Sequence, residues 1–374
     1  MSEEFIEMNE ANDGNVPSNP NGKTQTLLPG FKSVCMRLGL MMIIVFVSRG
    51  LIYIPMLLLS PWIETLSVTV QALVNLILEV VFLYLIPIIS AVFILKYPIG
   101  TNTKKIYSKP KYFKKAMGMF PAGYAAAIFV RILTMILGML MSNTIFGDSF
   151  NVTQENMVAS SMPEAVILFI QLAVIAPVFE EFWFRGIVLE SLRPYGNGFA
   201  IFVSALLFGM THSNFEQFFY AMALGIVFGY VAIQTQSIVT TTIMHACFNS
   251  ISGVIILLSS NDSVAEYLLA QENGEAGIVT PAVAIYLVWL VLIMLLLVFG
   301  LVMAIIKLVK IKKYRVPKVQ TELSAGRRWA VLLTRATMII AIIMAVLFFI
   351  PYLIPNLIFS LTTVLSPAAM INLR

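Results

Sequence analysis

Only two histidines, His212 and His245, occur in the 374 residues, and both lie in apolar segments close to a third such segment that carries Glu180, Glu181 and Arg185. An ionisable side chain in hydrocarbon costs about 3 kcal/mol or more, so buried Glu, Arg and His are tolerated where they pair with one another or line a functional cavity. On a helix Glu181 and Arg185 are four apart and share a face, so the arginine can hold one carboxylate ionised. Glu180 projects about 100° away and is left available. Asn249 follows His245 by four residues and again shares its face. A buried carboxylate, or one paired with a neutral imidazole, can act as general base on a water molecule. Asparagine and a second histidine can donate hydrogen bonds to the oxyanion that forms when that water attacks a carbonyl. The set suits amide hydrolysis. One Glu and two His, here Glu180, His212 and His245, equally make the ligand set of a catalytic zinc with an open fourth position. His-Glu-X-X-His is absent, so such an ion would be assembled from three separate helices; the cofactor is a divalent metal such as zinc, or there is none.

Other intramembrane chemistries fail on residue placement. Asp13, Asp148 and Asp262 are the only aspartates and fall in the tail or in loops, which excludes a membrane aspartyl dyad. No Gly-X-Ser-Gly precedes a helix, which argues against a rhomboid-type serine site.

The elements that must position these groups follow from composition. With 59% hydrophobic and 11% charged residues and a mean hydropathy of +0.90, the chain is too apolar for a soluble domain. A spanning helix needs about 20 apolar residues, and windows of that kind run over 33–59, 72–96, 115–141, 163–192, 196–212, 217–234, 238–258, 280–307 and 329–355. The expected fold is therefore all-α and polytopic, a bundle of about nine transmembrane helices. Residues 1–30 read as a disordered polar tail rather than a signal peptide, 31–160 as N-terminal transmembrane helices, 161–258 as the core that carries the chemistry, and 259–374 as C-terminal transmembrane helices. Two connections are strongly basic, from Lys96 to Lys115 and from Lys307 to Arg328, and the positive-inside rule puts both in the cytoplasm together with the N-terminus. Six windows separate them, an even number, which is consistent with one side. The net charge of +5 belongs to these loops and indicates attraction to anionic lipid rather than to nucleic acid. At about 1.5 Å per residue, Glu180, His212 and His245 sit roughly 19, 24 and 10 Å from the cytoplasmic ends of their windows, and converge if the fifth helix tilts. Cys35 and Cys247 read as small buried residues rather than a disulfide.

Glu-Glu-X-X-X-Arg at 180–185, Phe-X-X-X-His at 208–212 and His-X-X-X-Asn at 245–249, in that order in successive apolar segments, resemble the CPBP family of intramembrane endopeptidases, the CAAX proteases and bacteriocin-processing enzymes also called Abi. The likeness covers roughly residues 163–258. It implies that Glu180 and His212 activate the water, that His245 and Asn249 form the oxyanion hole, and that Glu181 and Arg185 support them. It also implies a membrane-embedded or lipid-proximal peptide substrate and a location in the bilayer, here expected to be a bacterial plasma membrane. The competing reading is a noncatalytic membrane scaffold, immunity protein or transporter in which the same groups hold helices together or relay protons.

Two further features stand outside the motifs. Arg49, Glu79 and Arg131 lie at similar depth in the first three windows and are expected to form an Arg-Glu-Arg cluster pinning those helices. Gly225 and Gly229 make a Gly-X-X-X-Gly that marks close helix packing.

Overall fold

Inside a bilayer every backbone N–H and C=O must find a partner within the protein, which leaves long apolar segments no alternative to the helix. The computed structural model describes residues 27–97, 101–141, 159–319, 321 and 323–350. The tail as far as residue 26, Asp148, the Asn151-Val-Thr153 segment and Pro351 to Pro355 lie outside the described residues. Among the described residues all regular structure is helical. Seven helices are long and apolar enough to cross a membrane: α1 (Leu28–Ile63), α2 (Val68–Ile94), α3 (Phe113–Leu140), α4 (Met162–Tyr195), α6 (Phe215–Thr235), α7 (Val239–Ser259) and α9 (Pro281–Val309). Between them lie the shorter α5 (Asn197–Met210) and the loop helix α8 (Asp262–Glu272). The chain is an integral membrane protein.

Among the described residues the nine sequence windows give seven span-like helices, or eight if the last pair is one span. That pair, α10 (Ala325–Leu333) and α11 (Ala336–Phe348), is bent by 71°. The fifth window is the other difference. Helix α5 has 14 residues, roughly 21 Å at 1.5 Å per residue, against a hydrocarbon core of about 30 Å. It enters the bundle, turns, and returns as α6.

That hairpin starts and ends at one face. Asn197 Nδ2, at the start of α5, donates to Pro317 O at 3.0 Å, and Gln234 Nε2, near the end of α6, donates to Arg315 O at 3.2 Å. The backbone N–H of Lys111 donates to Thr235 O at 3.0 Å. Both basic connections therefore meet the same end of α6, as the sequence requires of two loops on one side.

The core is built around α5 and α6, which have the most extensive helix contact in the molecule; α3 packs on α6 and α9, and α11 on α1. Close approach is enforced by glycine. A Cβ at Gly225 would stand 2.9 Å from Ala205 Cα, and one at Gly229 would stand 3.2 Å from an Ile201 side-chain carbon. The outer surface is the reverse of a soluble protein's: Val288, Val291, Leu295, Val298, Val302 and Ile305 of α9 are all exposed, as lipid-facing residues should be.

Candidate active site

Helix α4 reaches the site through two wide turns. Residues Gln171–Ile175 and Phe182–Leu189 are π-helical, and the N–H of Ala176 bonds to Gln171 O, five residues back. The next residue is Pro177, which has no N–H to give. The carbonyl of Leu172, five residues before it, is thereby left without a helical donor. Asn249 on α7 supplies one, its Nδ2 donating to Leu172 O at 2.8 Å. The same device recurs in α2, where Val80–Leu85 is π-helical and Ile86 N–H bonds to Val81 O. Pro87 follows, and the stranded carbonyl of Phe82 takes the hydroxyl of Ser48. Proline in an apolar helix is tolerated when neighbouring side chains re-satisfy the freed groups.

Past the first wide turn stand the two glutamates. Glu181 accepts from Arg185 Nη1 at 2.8 Å, with both side chains fully buried. The guanidinium lies over two aromatic faces, 4.6 Å from the Phe208 centroid and 5.4 Å from that of Phe228, which stabilises a cation that water cannot reach. The same Glu181 oxygen accepts from His245 Nδ1 at 3.0 Å. Because a carboxylate paired with arginine only accepts, His245 carries its proton on Nδ1, and Nε2 points toward Glu180 Oε2 at 3.7 Å. His245 is thus held between the two carboxylates.

His212 occupies the turn of the α5–α6 hairpin. Its Nδ1 contacts Phe208 O at 3.0 Å, and since a carbonyl only accepts, the neutral ring presents a free Nε2. The turn is fixed from the other side by Asn214. Its Nδ2 donates to His212 O at 3.0 Å, and its Oδ1 caps α6 by accepting from Gln217 N at 2.8 Å. Ser213 between them adopts a left-handed conformation, φ 60°. The short α5 is what places this turn within the bundle.

Glu180, His212, His245 and Asn249 line one cavity of about 210 Å³, with Glu181 and Arg185 behind its wall. All four expected first-rank residues are brought together, from two helices and one turn. The cavity also takes in Arg49, Tyr84, Gln217 and Tyr220. Tyr84 Oη lies 3.5 Å from Glu180 Oε1. No sequence motif marked Tyr84 or Tyr220, since a tyrosine in an apolar helix carries no signal of its own.

Residues 162–251 match the family described as Rce1-like, type II CAAX prenyl endopeptidase. The match supports the CPBP (CAAX protease) likeness that the three motifs carry. No curated protein and no solved structure matches it. The matched stretch begins with α4 and ends two residues beyond Asn249, so it contains every residue of the three motifs.

One expectation about polar groups comes out differently. Arg131 does not join the Arg49, Glu79 and Arg131 cluster: it pairs with Glu216 of α6 at 2.6 Å, while Glu79 takes the amide of Gln171 and stays within electrostatic reach of Arg49. The reason is packing, because α3 lies against α6 and α9 rather than beside α1 and α2. Arg49 instead faces the cavity. As for a metal, no three His, Cys, Asp or Glu side chains among the described residues are grouped closely enough to hold an ion. Glu180, His212 and His245 do not form such a group.

Proposed function

We propose that the protein is an intramembrane endopeptidase that hydrolyses a peptide bond in a membrane-associated protein or peptide. The observation that carries this reading is the shared cavity of Glu180, His212, His245 and Asn249, with His245 braced by Glu181. In this mechanism the free Nε2 of His212 orients a water molecule and Glu180 removes its proton as the oxygen attacks the carbonyl carbon. His245, flanked by two carboxylates, serves as the imidazolium that donates from Nε2 to the oxyanion, and the second N–H of Asn249 donates beside it. Glu180 then delivers the proton to the departing amine as the C–N bond breaks. Glu181 and Arg185 touch no substrate; they hold His245 in orientation. The basic connections lie on the cytoplasmic face by the positive-inside rule.

One observation favours a second reading. The bond from Asn249 to Leu172 O is the kind of contact that joins helices in a scaffold. Comparative peptidomics of native membranes carrying wild-type or Glu180→Ala protein at matched abundance separates the two. A peptide terminus that disappears in the variant identifies both proteolysis and substrate. Unchanged termini with an intact biological phenotype would leave the scaffold.

A further inference from the structure

A second cavity, larger than the first, opens on the far side of α6. It has a volume of about 470 Å³ and is lined by α3, α5, α6, α9 and the segment after α9, including Ala126, Phe202, Val227 and Ala304. It is separate from the candidate active site, which uses Gln217, Tyr220, Ala221 and Leu224 of α6, whereas this groove uses Ile226, Val227 and Tyr230.

Its walls are apolar except at one end. There Lys307 Nζ lies 3.5 Å from Tyr314 Oη and 5.3 Å from the Tyr314 ring centroid. Tyr230 lines the same groove, and its hydroxyl is buried with no hydrogen-bond partner among the described residues. A buried hydroxyl left unbonded costs about 1–3 kcal/mol, so a polar acceptor is missing there. The end also lies where the two basic connections converge. Every charged residue from 307 to 318 is a cation, and so is every one from 104 to 115.

We propose that this groove is a binding site for one anionic phospholipid. An acyl chain fills the apolar channel between α3, α6 and α9, and the phosphate accepts from Lys307 and from the Tyr230 hydroxyl. The occupant is set by charge complementarity: a zwitterionic lipid satisfies the walls but gains less from Lys307 and the basic connections near the mouth. The proposal does not depend on the proteolytic reading of the other cavity.

The test uses purified full-length protein in micelles containing equal amounts of phosphatidylglycerol and phosphatidylcholine, with retained lipid counted by native mass spectrometry. Wild type is expected to keep phosphatidylglycerol in preference to phosphatidylcholine. Lys307→Gln should lower that retention roughly five-fold, the worth of one basic side chain at an anionic surface. Ala304→Phe, which fills the channel, should abolish it. Lys310→Gln, an exposed lysine outside the groove, should leave retention unchanged. Equal retention of the two lipids by wild type, or a loss in Lys310→Gln matching that in Lys307→Gln, would overturn the proposal. Should Ala304→Phe fail to fold, Tyr230→Phe keeps the test intact, since retention equal to wild type in both Tyr230→Phe and Lys307→Gln would also overturn it.

Discussion

Replacing Asn249 by alanine removes the donor from a carbonyl that Pro177 has already stranded. Interhelical hydrogen bonds in membranes average about 0.6 kcal/mol and reach about 1.7, while a buried polar group left unpaired costs about 1–3 kcal/mol. The Leu172 carbonyl has no alternative helical donor, so Asn249→Ala should destabilise the fold by about 1–2 kcal/mol. Pro177→Ala gives the chain back an N–H five residues after Leu172, where the wide turn directs it to that carbonyl. In the double variant the carbonyl is satisfied again, and the two substitutions should couple by about 1 kcal/mol. Unfolding by a denaturing detergent in mixed micelles measures all four corners of the cycle. Additivity to within about 0.5 kcal/mol would refute the capping argument. The same four proteins also separate structure from chemistry. If Asn249 donates to an oxyanion as well, the double variant recovers its stability but stays about 10²–10³-fold slower in turnover.

The remaining predictions concern the buried pair and the close helix contacts. Arg185→Met leaves the Glu181 charge buried without its arginine and should cost about 3–5 kcal/mol, much of it recovered by adding Glu181→Gln, as read by thermal unfolding in detergent. Gly225→Ala should cost about 1–3 kcal/mol because its Cβ meets the backbone of Ala205. Gly198→Ala has nothing within 4 Å and should leave the same unfolding curve unchanged or slightly raised. Arg131→Met strands the buried carboxylate of Glu216, so a loss of stability that Glu216→Gln repairs is expected, with cavity residues unaffected.

Much of the site was legible in the sequence because its groups are costly where they stand. A carboxylate or imidazole in an apolar run is conspicuous, and the spacing of four between Glu181 and Arg185 predicts their contact directly. What the spacing could not supply was the partner from another helix. Glu181 turns out to orient His245, and Asn249 turns out to serve Leu172, because both bonds cross between α4 and α7. Depth alone suggested the Arg49, Glu79 and Arg131 cluster, yet equal depth does not make Arg131 a neighbour of the other two. Hydrophobicity is not the same as length: α5 is apolar like a span but ends at the turn of His212.

The wide turns carry a consequence for the outside of the protein as well. In an unbroken α-helix, positions four apart drift by about 40° at each step, so a row repeating every four residues would wind away from the lipid. Yet Met162, Val166, Ile170, Val174 and Val178 are all exposed, as are Leu85, Ile89 and Phe93. With more residues per turn, the π segment of α4 cancels part of that drift and keeps one straight apolar edge against the acyl chains. Removing a single residue from 171–175 and closing the wide turn would leave Glu180 facing much the same way, because four residues of ordinary helix turn about as far as five in a wide one, whereas removing one from the regular helix before it would swing everything beyond by about 100°.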